Sequence, residues 1–269
     1  MSLKIATYNC CSLKKNIDIV RELLEGVDIL FLQETFITSD SLSLLQYINE
    51  DYHSVGVGAV CSNQNAGRPQ GGLACLVRKT LSCNFNVVTC DDDFMIIDVN
   101  FQSFKLTLVN AYIRSDLGDA VSHANYLDNL YKLETILDEH SYDNILVLGD
   151  FNADPFYGRA WHSLENFIAR NHFRCYDKDL LPQDSSTYIS CANSHYKWPD
   201  RIIGRFSDRV NFDYITVNSD SIGSDHFPSL IGSLNVDPGA DLKAFIKSQF
   251  YVDRRNLRTR SLKDAYNQQ

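Results

Sequence analysis

The chain has 269 residues and a formal net charge of -9, a length that suits one large domain or two small ones. With 44% hydrophobic and 22% charged residues, wholesale disorder is excluded, and the acidic balance excludes a protein that captures nucleic acid through its overall field. The charge is uneven: residues 241–269 hold seven Lys or Arg and three Asp, whereas the rest of the chain is strongly acidic, which fits either a cation site or solvated surface.

Residues 3–8 read as a strand. Apolar residues at 17, 20, 23 and 24 predict a helix over 16–25, stopped by Gly26. Residues 28–33 are an apolar run too short for a helix and predict a buried strand. Helical material is expected over 42–50, then β structure over 52–60 and a turn-rich loop over 63–72. Strands follow at 73–78, 85–90, 94–100 and 106–112. Their incomplete alternation suggests strands buried on both faces. The longest helix is expected over 120–139, a buried strand over 145–148 and a helix over 158–170. Strands at 186–189, 212–217 and 227–234 complete the body, and residues 190–211 read as a long loop. This order predicts an α/β class with two sheets and outer helices. The domain is expected to span 1–238, with 239–269 a basic extension or the start of a linker.

None of the eight Cys forms a C-x-x-C pair. They read as small buried hydrophobes in a reducing compartment. No apolar run approaches the ~18 residues of a membrane helix, and no signal peptide precedes the first strand. An intracellular protein with no membrane partner is expected.

The informative residues are polar groups at strand ends: Asn9, Gln33-Glu34, Tyr112, Asp150 with Asn152, Asp213, and Ser224-Asp225-His226. Each has a bland alternative. Asn9 fits a turn, Asp150 a helix cap, and Asp225-His226 a surface pair. Together they suit phosphoryl transfer to water. Glu34 offers charge and Asn9 a neutral oxygen to a hard divalent ion. His226 has the titration range of a general base, and Asp213 is the candidate to orient it. Asn152 and Tyr112 can donate to charge developing on phosphoryl oxygens, and Asp150 can position or deprotonate the nucleophile.

The ordered set TYN (7–9), LQE (32–34), NAY (110–112), LGDFNA (148–153), STY (186–188), NFDYI (211–215) and SDH (224–226) resembles the endonuclease/exonuclease/phosphatase superfamily. The resemblance implies a four-layer α/β sandwich of two packed mixed sheets (DNase I-like). It further implies Mg²⁺, with Mn²⁺ as a substitute, held by Glu34 with Asn9 and Asp225 nearby. Tyr112, Asp150 and Asn152 then form the phosphate and transition-state group. Asp213 orients the catalytic His226, and Thr187 contacts backbone phosphate. GRPQGGLA (67–74) and SDHFP resemble the endonuclease domains of non-LTR retrotransposons. That implies DNA nicking to a 3′-hydroxyl and a 5′-phosphate, a downstream reverse transcriptase domain and a nuclear location. The alternatives are a phosphatase or phosphodiesterase on a small phosphorylated molecule or lipid, and an RNA-directed nuclease.

The chain departs from the family's pattern in three places. No proline follows Tyr112; Arg114 stands there, as a phosphate contact or a free surface arginine. Cys11 stands where apurinic-site enzymes tend to carry aspartate. In the 190–211 loop, Lys197, Arg201, Arg205 and Arg209 are expected to anchor phosphates while Trp198 or Phe206 wedges against bases, or else the loop is irregular surface.

Overall fold

The computed structural model describes residues 2–61, 68–102, 104–139, 143–190, 195–207, 210–218, 223–227 and 230–236. The basic segment 239–269, Arg209 and residues 63–67 of the 63–72 loop lie outside them. In chain order the elements are β1 (Ser2–Asn9), α1 (Ile17–Gly26), β2 (Ile29–Gln33), a 3-10 segment (Ser39–Tyr47), β3 (Tyr52–Val57), β4 (Leu73–Arg78) and β5 (Asn84–Cys90). Then come β6 (Phe94–Phe101), β7 (Phe104–Tyr112), α2 (Ala120–Glu139), β8 (Ile145–Asp150), α3 (Arg159–Arg170), β9 (Arg174–Cys175) and α4 (Tyr176–Leu180). The last are β10 (Tyr188–Ile189), β11 (Tyr196–Lys197), β12 (Asp200–Arg205), β13 (Val210–Val217) and β14 (Leu230–Val236). No helix among the described residues is long and apolar enough to cross a membrane.

The described strands form two six-stranded mixed sheets, ordered β13-β14-β1-β2-β4-β3 and β5-β6-β7-β8-β12-β9, plus a β10-β11 ribbon. Side chains alternate across each strand, so a strand covered on both faces must be apolar at nearly every position. Leu3, Ile5, Ile29 and Phe31 point between the sheets and meet Ile97, Leu108, Leu146 and Leu148 from the second sheet. The opposite faces of β1 and β2 present Ala6, Tyr8, Leu30 and Leu32 to Val20, Leu23 and Leu24 of α1. On the far side, Phe94, Val109, Ala111 and Val147 pack against Leu130 and Leu133 of α2 and Trp161, Leu164 and Phe167 of α3. Three apolar clusters therefore separate four layers, the expected sandwich.

Two features place functional groups at one end. β1 and β2 are parallel, as are β7 and β8, and each pair is joined by a crossover through a helix. The carboxyl ends of parallel strands are where crossover loops diverge and ligands bind. Asn9 and Gln33 sit side by side there on one sheet, and Tyr112 and Asp150 on the other. β12 runs antiparallel to β8, so its first residue, Asp200, lies opposite Asp150, the last residue of β8. The sheets are also bolted together near this end. Gln33 donates to Thr7 (2.9 Å) and Asn110 (2.6 Å), and Asn110 donates across to the carbonyls of Leu32 and Ala74 (both 3.0 Å). Buried amides must find such partners, and doing so fixes the spacing of the layers.

The structure corrects two local expectations. The 42–50 helix is a 3-10 segment at Ser39–Tyr47. The loop at 190–211 contains β12, a central strand whose Asp200, Arg201, Ile202 and Ile203 are all buried.

Candidate active site

The carboxyl ends of β2, β7 and β8 and the segment before β14 line one cavity of ≈ 750 Å³, whose wall includes Glu34, Tyr112, Asp150, Asn152, Asp225 and His226. Glu34 and Asn152 both have left-handed backbones (φ 49° and 48°). That conformation costs a non-glycine residue of order 1 kcal/mol or more. The surrounding backbone holds Glu34 in it. The Ser12 N–H donates to the Glu34 carbonyl (2.8 Å), and the Thr35 and Phe36 N–H groups donate to Gly72 and Gly71 (both 3.1 Å). Gly72 can take that role because it has φ 87° and an added Cβ would lie 2.5 Å from Thr35 Oγ1. The QGG turn thus supports the carboxylate of Glu34 from behind.

Asp150 and His226 form the centre. Asp150 is fully buried and accepts from Asn9 Nδ2 (2.9 Å), the Asn152 N–H (2.9 Å) and Asn152 Nδ2 (3.2 Å). His226 Nδ1 lies 2.9 Å from Asp200 Oδ2, and its Nε2 lies 3.6 Å from Asp150 Oδ2. Two buried carboxylates therefore flank one imidazole. Burial works against the imidazolium, but Asp200 and Asp150 outweigh it and raise the His226 pKa. Burial also raises Asp150, against the opposing pull of His226. Tyr112 donates to Glu34 Oε1 (2.7 Å). Burial, with the Glu34 charge, pushes the Tyr112 phenol well above its ordinary value, so it remains a donor. The segment before β14 is pinned by β10: the Ile189 N–H donates to the Asp225 carbonyl, the Phe227 N–H to the Thr187 carbonyl (both 2.8 Å), and the Tyr188 ring meets His226 edge-on at 5.0 Å.

The structure reassigns several expected residues. Asp213 does not orient His226. It is exposed on β13, where its carboxylate accepts two 2.6 Å bonds from Asn235, and Asp200 takes the orienting place. Thr187 is buried and accepts from the Asp200 N–H (3.3 Å), so it braces the histidine's partner and is absent from the cavity wall. Arg201 is no phosphate anchor. It is completely buried, paired with Asp177 (2.7 Å) and packed between Trp161 and Trp198. Trp198 is buried and Phe206 packs on Tyr176 and Phe212, so neither is a wedge. Arg205, at the far end of β12, donates to the Asn171 carbonyl (3.1 Å) and stacks on Phe173. Only Lys197 of the expected anchors among the described residues lines the cavity. Arg114 is exposed close to Tyr112. Asn9 faces Asp150 with its amide, while its oxygen accepts from the Cys11 N–H (3.1 Å). Both Asn152 amide protons are engaged, by Asp150 and the Ile113 carbonyl, so donation to a phosphate requires one of these bonds to open. Sequence reasoning missed Asp200. Its signal was an acidic residue two places before an apolar pair, Ile202-Ile203.

The donors suit a divalent cation. Ligand atoms of Asp150, Asp200 and His226 lie within 4.8 Å of one another and can coordinate one. Glu34 and Asp225 add carboxylates on the same wall. A buried histidine between carboxylates, in an acidic cavity at the carboxyl ends of parallel strands, is the arrangement of a metal-dependent phosphoesterase. The sequence matches the Endonuclease/Exonuclease/phosphatase family over residues 6–226, and the chain belongs to it. No curated protein matches the sequence. Among solved structures, the fold is similar to the AP endonuclease LMAP from Leishmania major (16% identity, 88% of each chain covered, TM-score 0.68). It is also similar to the 3'-5' exonuclease NExo from Neisseria meningitidis (17% identity, 87% of this chain and 100% of that one, TM-score 0.64). A third is the endonuclease domain of TRAS1, a telomere-specific non-LTR retrotransposon (12% identity, 88% and 99% covered, TM-score 0.64).

Proposed function

We propose that the protein is a Mg²⁺-dependent DNA endonuclease that cuts a phosphodiester to a 3′-hydroxyl and a 5′-phosphate, as the target-nicking domain of a non-LTR retrotransposon acting in the nucleus. The observation that carries the hydrolytic part is the row Asp200–His226–Asp150, whose last two members line the cavity. DNA as substrate is supported by relatives that are an AP endonuclease, an exonuclease and a retrotransposon endonuclease. The retrotransposon assignment rests on the last of these and on the GRPQGGLA and SDHFP segments.

The cation belongs with Glu34 and Asp225, with the Asn9 oxygen behind them. These are hard oxygen donors, whereas His226 Nδ1 is already bonded to Asp200. A divalent ion held there neutralises phosphoryl charge as a Lewis acid. The chain's own residues supply the rest. Asp200 fixes the ring so that Nε2 faces the reacting centre. Two carboxylates keep the imidazole protonated, so it donates to a phosphoryl oxygen. Asp150 is the better base: it takes a proton as the water oxygen bonds to phosphorus and the bond from phosphorus to the 3′-oxygen breaks. That oxygen takes up a proton from solvent. This revises the division of labour read from sequence, in which His226 was the base. Lys197 lines the cavity and Arg114 is exposed close to Tyr112, so these are the cations available to flanking phosphates.

The test is nicking of supercoiled plasmid in Mg²⁺, with EDTA as control. His226→Ala is expected to lose at least ~10²-fold in rate. Glu34→Ala should recover partly in excess Mg²⁺, and Mn²⁺ should substitute. Nicking undiminished in His226→Ala would sink the mechanism. Failure to cut DNA with any divalent ion, alongside release of phosphate from small phosphoesters, would replace the substrate.

A further inference from the structure

The active cavity is larger than a phosphoryl group requires, and part of its wall has no role in the chemistry above. That part is formed by two loops, after β7 and after β8: Ser115, Asp116 and Gly118 from one, Asp154, Tyr157, Gly158 and Arg159 from the other. Tyr157 is 75% exposed and the adjacent Phe156 55% exposed. Single exposed aromatics are ordinary. These two stand on a backbone held rigidly in place. The Asp154 carboxylate accepts from the N–H groups of Phe156 (2.9 Å) and Trp198 (3.2 Å), and the Tyr157 N–H returns to the Asp154 carbonyl (3.2 Å). Arg159 then ties the two loops together. Its Nε and Nη2 reach the Asp116 carboxylate at 2.5 and 2.7 Å, and Nη2 also donates to the Asp119 carbonyl. Asp116 is further held by the Gly118 N–H (2.9 Å) and His123 (3.0 Å).

We propose that Tyr157, flanked by Phe156, is a stacking platform for an unpaired nucleobase beside the scissile phosphodiester. This rests on the nucleic-acid reading above. The platform favours a strand whose base at the cut is out of the double helix. The chemistry of the wall selects a base over a phosphate: the arginine beside Tyr157 is paired with Asp116, and the nearby Asp154 carboxylate repels an anion, so what this stretch offers a ligand is an exposed aromatic ring. A tyrosine loses little side-chain freedom on binding, and the hydrogen-bonded loop is already ordered. A ring so placed stacks on any base and is tolerant of sequence.

The experiment uses two DNA oligonucleotides with one cutting site. In one, 2-aminopurine stands unpaired at the cut; the other is a fully paired duplex. Binding is read in Ca²⁺ by quenching of 2-aminopurine fluorescence, and cleavage is read in Mg²⁺. Wild type is expected to quench the probe. Tyr157→Ala should lose the quench and weaken binding of the unpaired strand about tenfold, with a smaller loss on the paired duplex. Tyr157→Phe should behave as wild type. If wild type cuts DNA and Tyr157→Ala binds and cuts the unpaired strand equally well, the platform falls and the nuclease reading stands. If wild type neither binds nor cuts either DNA, both fall together.

Discussion

Strands β12 and β13 lie on different sheets, and each sets an aspartate beside apolar and aromatic residues. Asp200 precedes Arg201, Ile202 and Ile203; Asp213 stands between Phe212 and Tyr214. β12 is an inner strand with β8 on one side and β9 on the other, and its register puts Asp200 opposite Asp150. β13 is an edge strand, and its register with β14 shifts between Phe212 and Tyr214, where Asp213 is left over. An extra residue in a bulge turns its side chain away from the ladder. One carboxylate is therefore buried 2.9 Å from an imidazole, and the other accepts an amide at the solvent face. Sheet position, more than local residue type, decides which acid becomes chemical.

The largest expected effect is on stability, and it sharpens the contrast within β12. Arg201→Ala strands the buried Asp177 carboxylate, and breaking such a pair costs about 3–5 kcal/mol. Arg205→Ala, at the exposed end of the same strand, should cost under ~1 kcal/mol. Urea denaturation of both variants measures the difference, and equal losses would show that the buried pair is not what holds β12.

Next comes the exchange of the two acids. Asp200→Asn should slow plasmid nicking by roughly 10²-fold with the fold retained by circular dichroism. Asp213→Asn should change the rate less than about twofold and the stability by under ~0.5 kcal/mol. The opposite ranking would return the orienting role to Asp213.

A smaller effect is on pH dependence. His226 has a raised pKa, mainly through Asp200 once the opposing cost of burial is overcome. Its contribution to stability is full below the unfolded value of about 6.5 and is lost as pH rises through the raised folded value. Wild-type stability should therefore decline across the alkaline range, and Asp200→Asn should flatten that decline. The alkaline limb of the nicking profile should also move to lower pH in this variant. An unmoved limb would mean that another group sets it.

Much of the fold was legible because strands buried on both faces leave continuous apolar runs, as at 28–33 and 145–148, and because α2 and α3 keep helical spacing. Polar residues directly after those runs marked Asn9, Glu34, Tyr112 and Asp150 for the same reason: the carboxyl ends of parallel strands converge. What was not legible depended on partners distant in sequence. Arg201 and Trp198 look like surface groups until Asp177 and Trp161 are brought to them. Asp213 looked like the histidine's partner because an acid between aromatics needs one. Its partner is Asn235, which only the pairing of two strands reveals.

Gly149 carries a consequence for redesign. It precedes Asp150 with φ 145°, and a Cβ placed there would fall 1.9 Å from the Ala111 carbonyl oxygen. No other residue fits between β7 and β8 without prying apart the strands that end in Tyr112 and Asp150. Laboratory evolution is therefore confined on this floor, and randomised libraries at residues 148–150 should return mostly dead clones. Phe156 and Tyr157, a few residues further on where the chain leaves the sheet, are exposed and free of that constraint, so libraries placed there should return mostly folded clones.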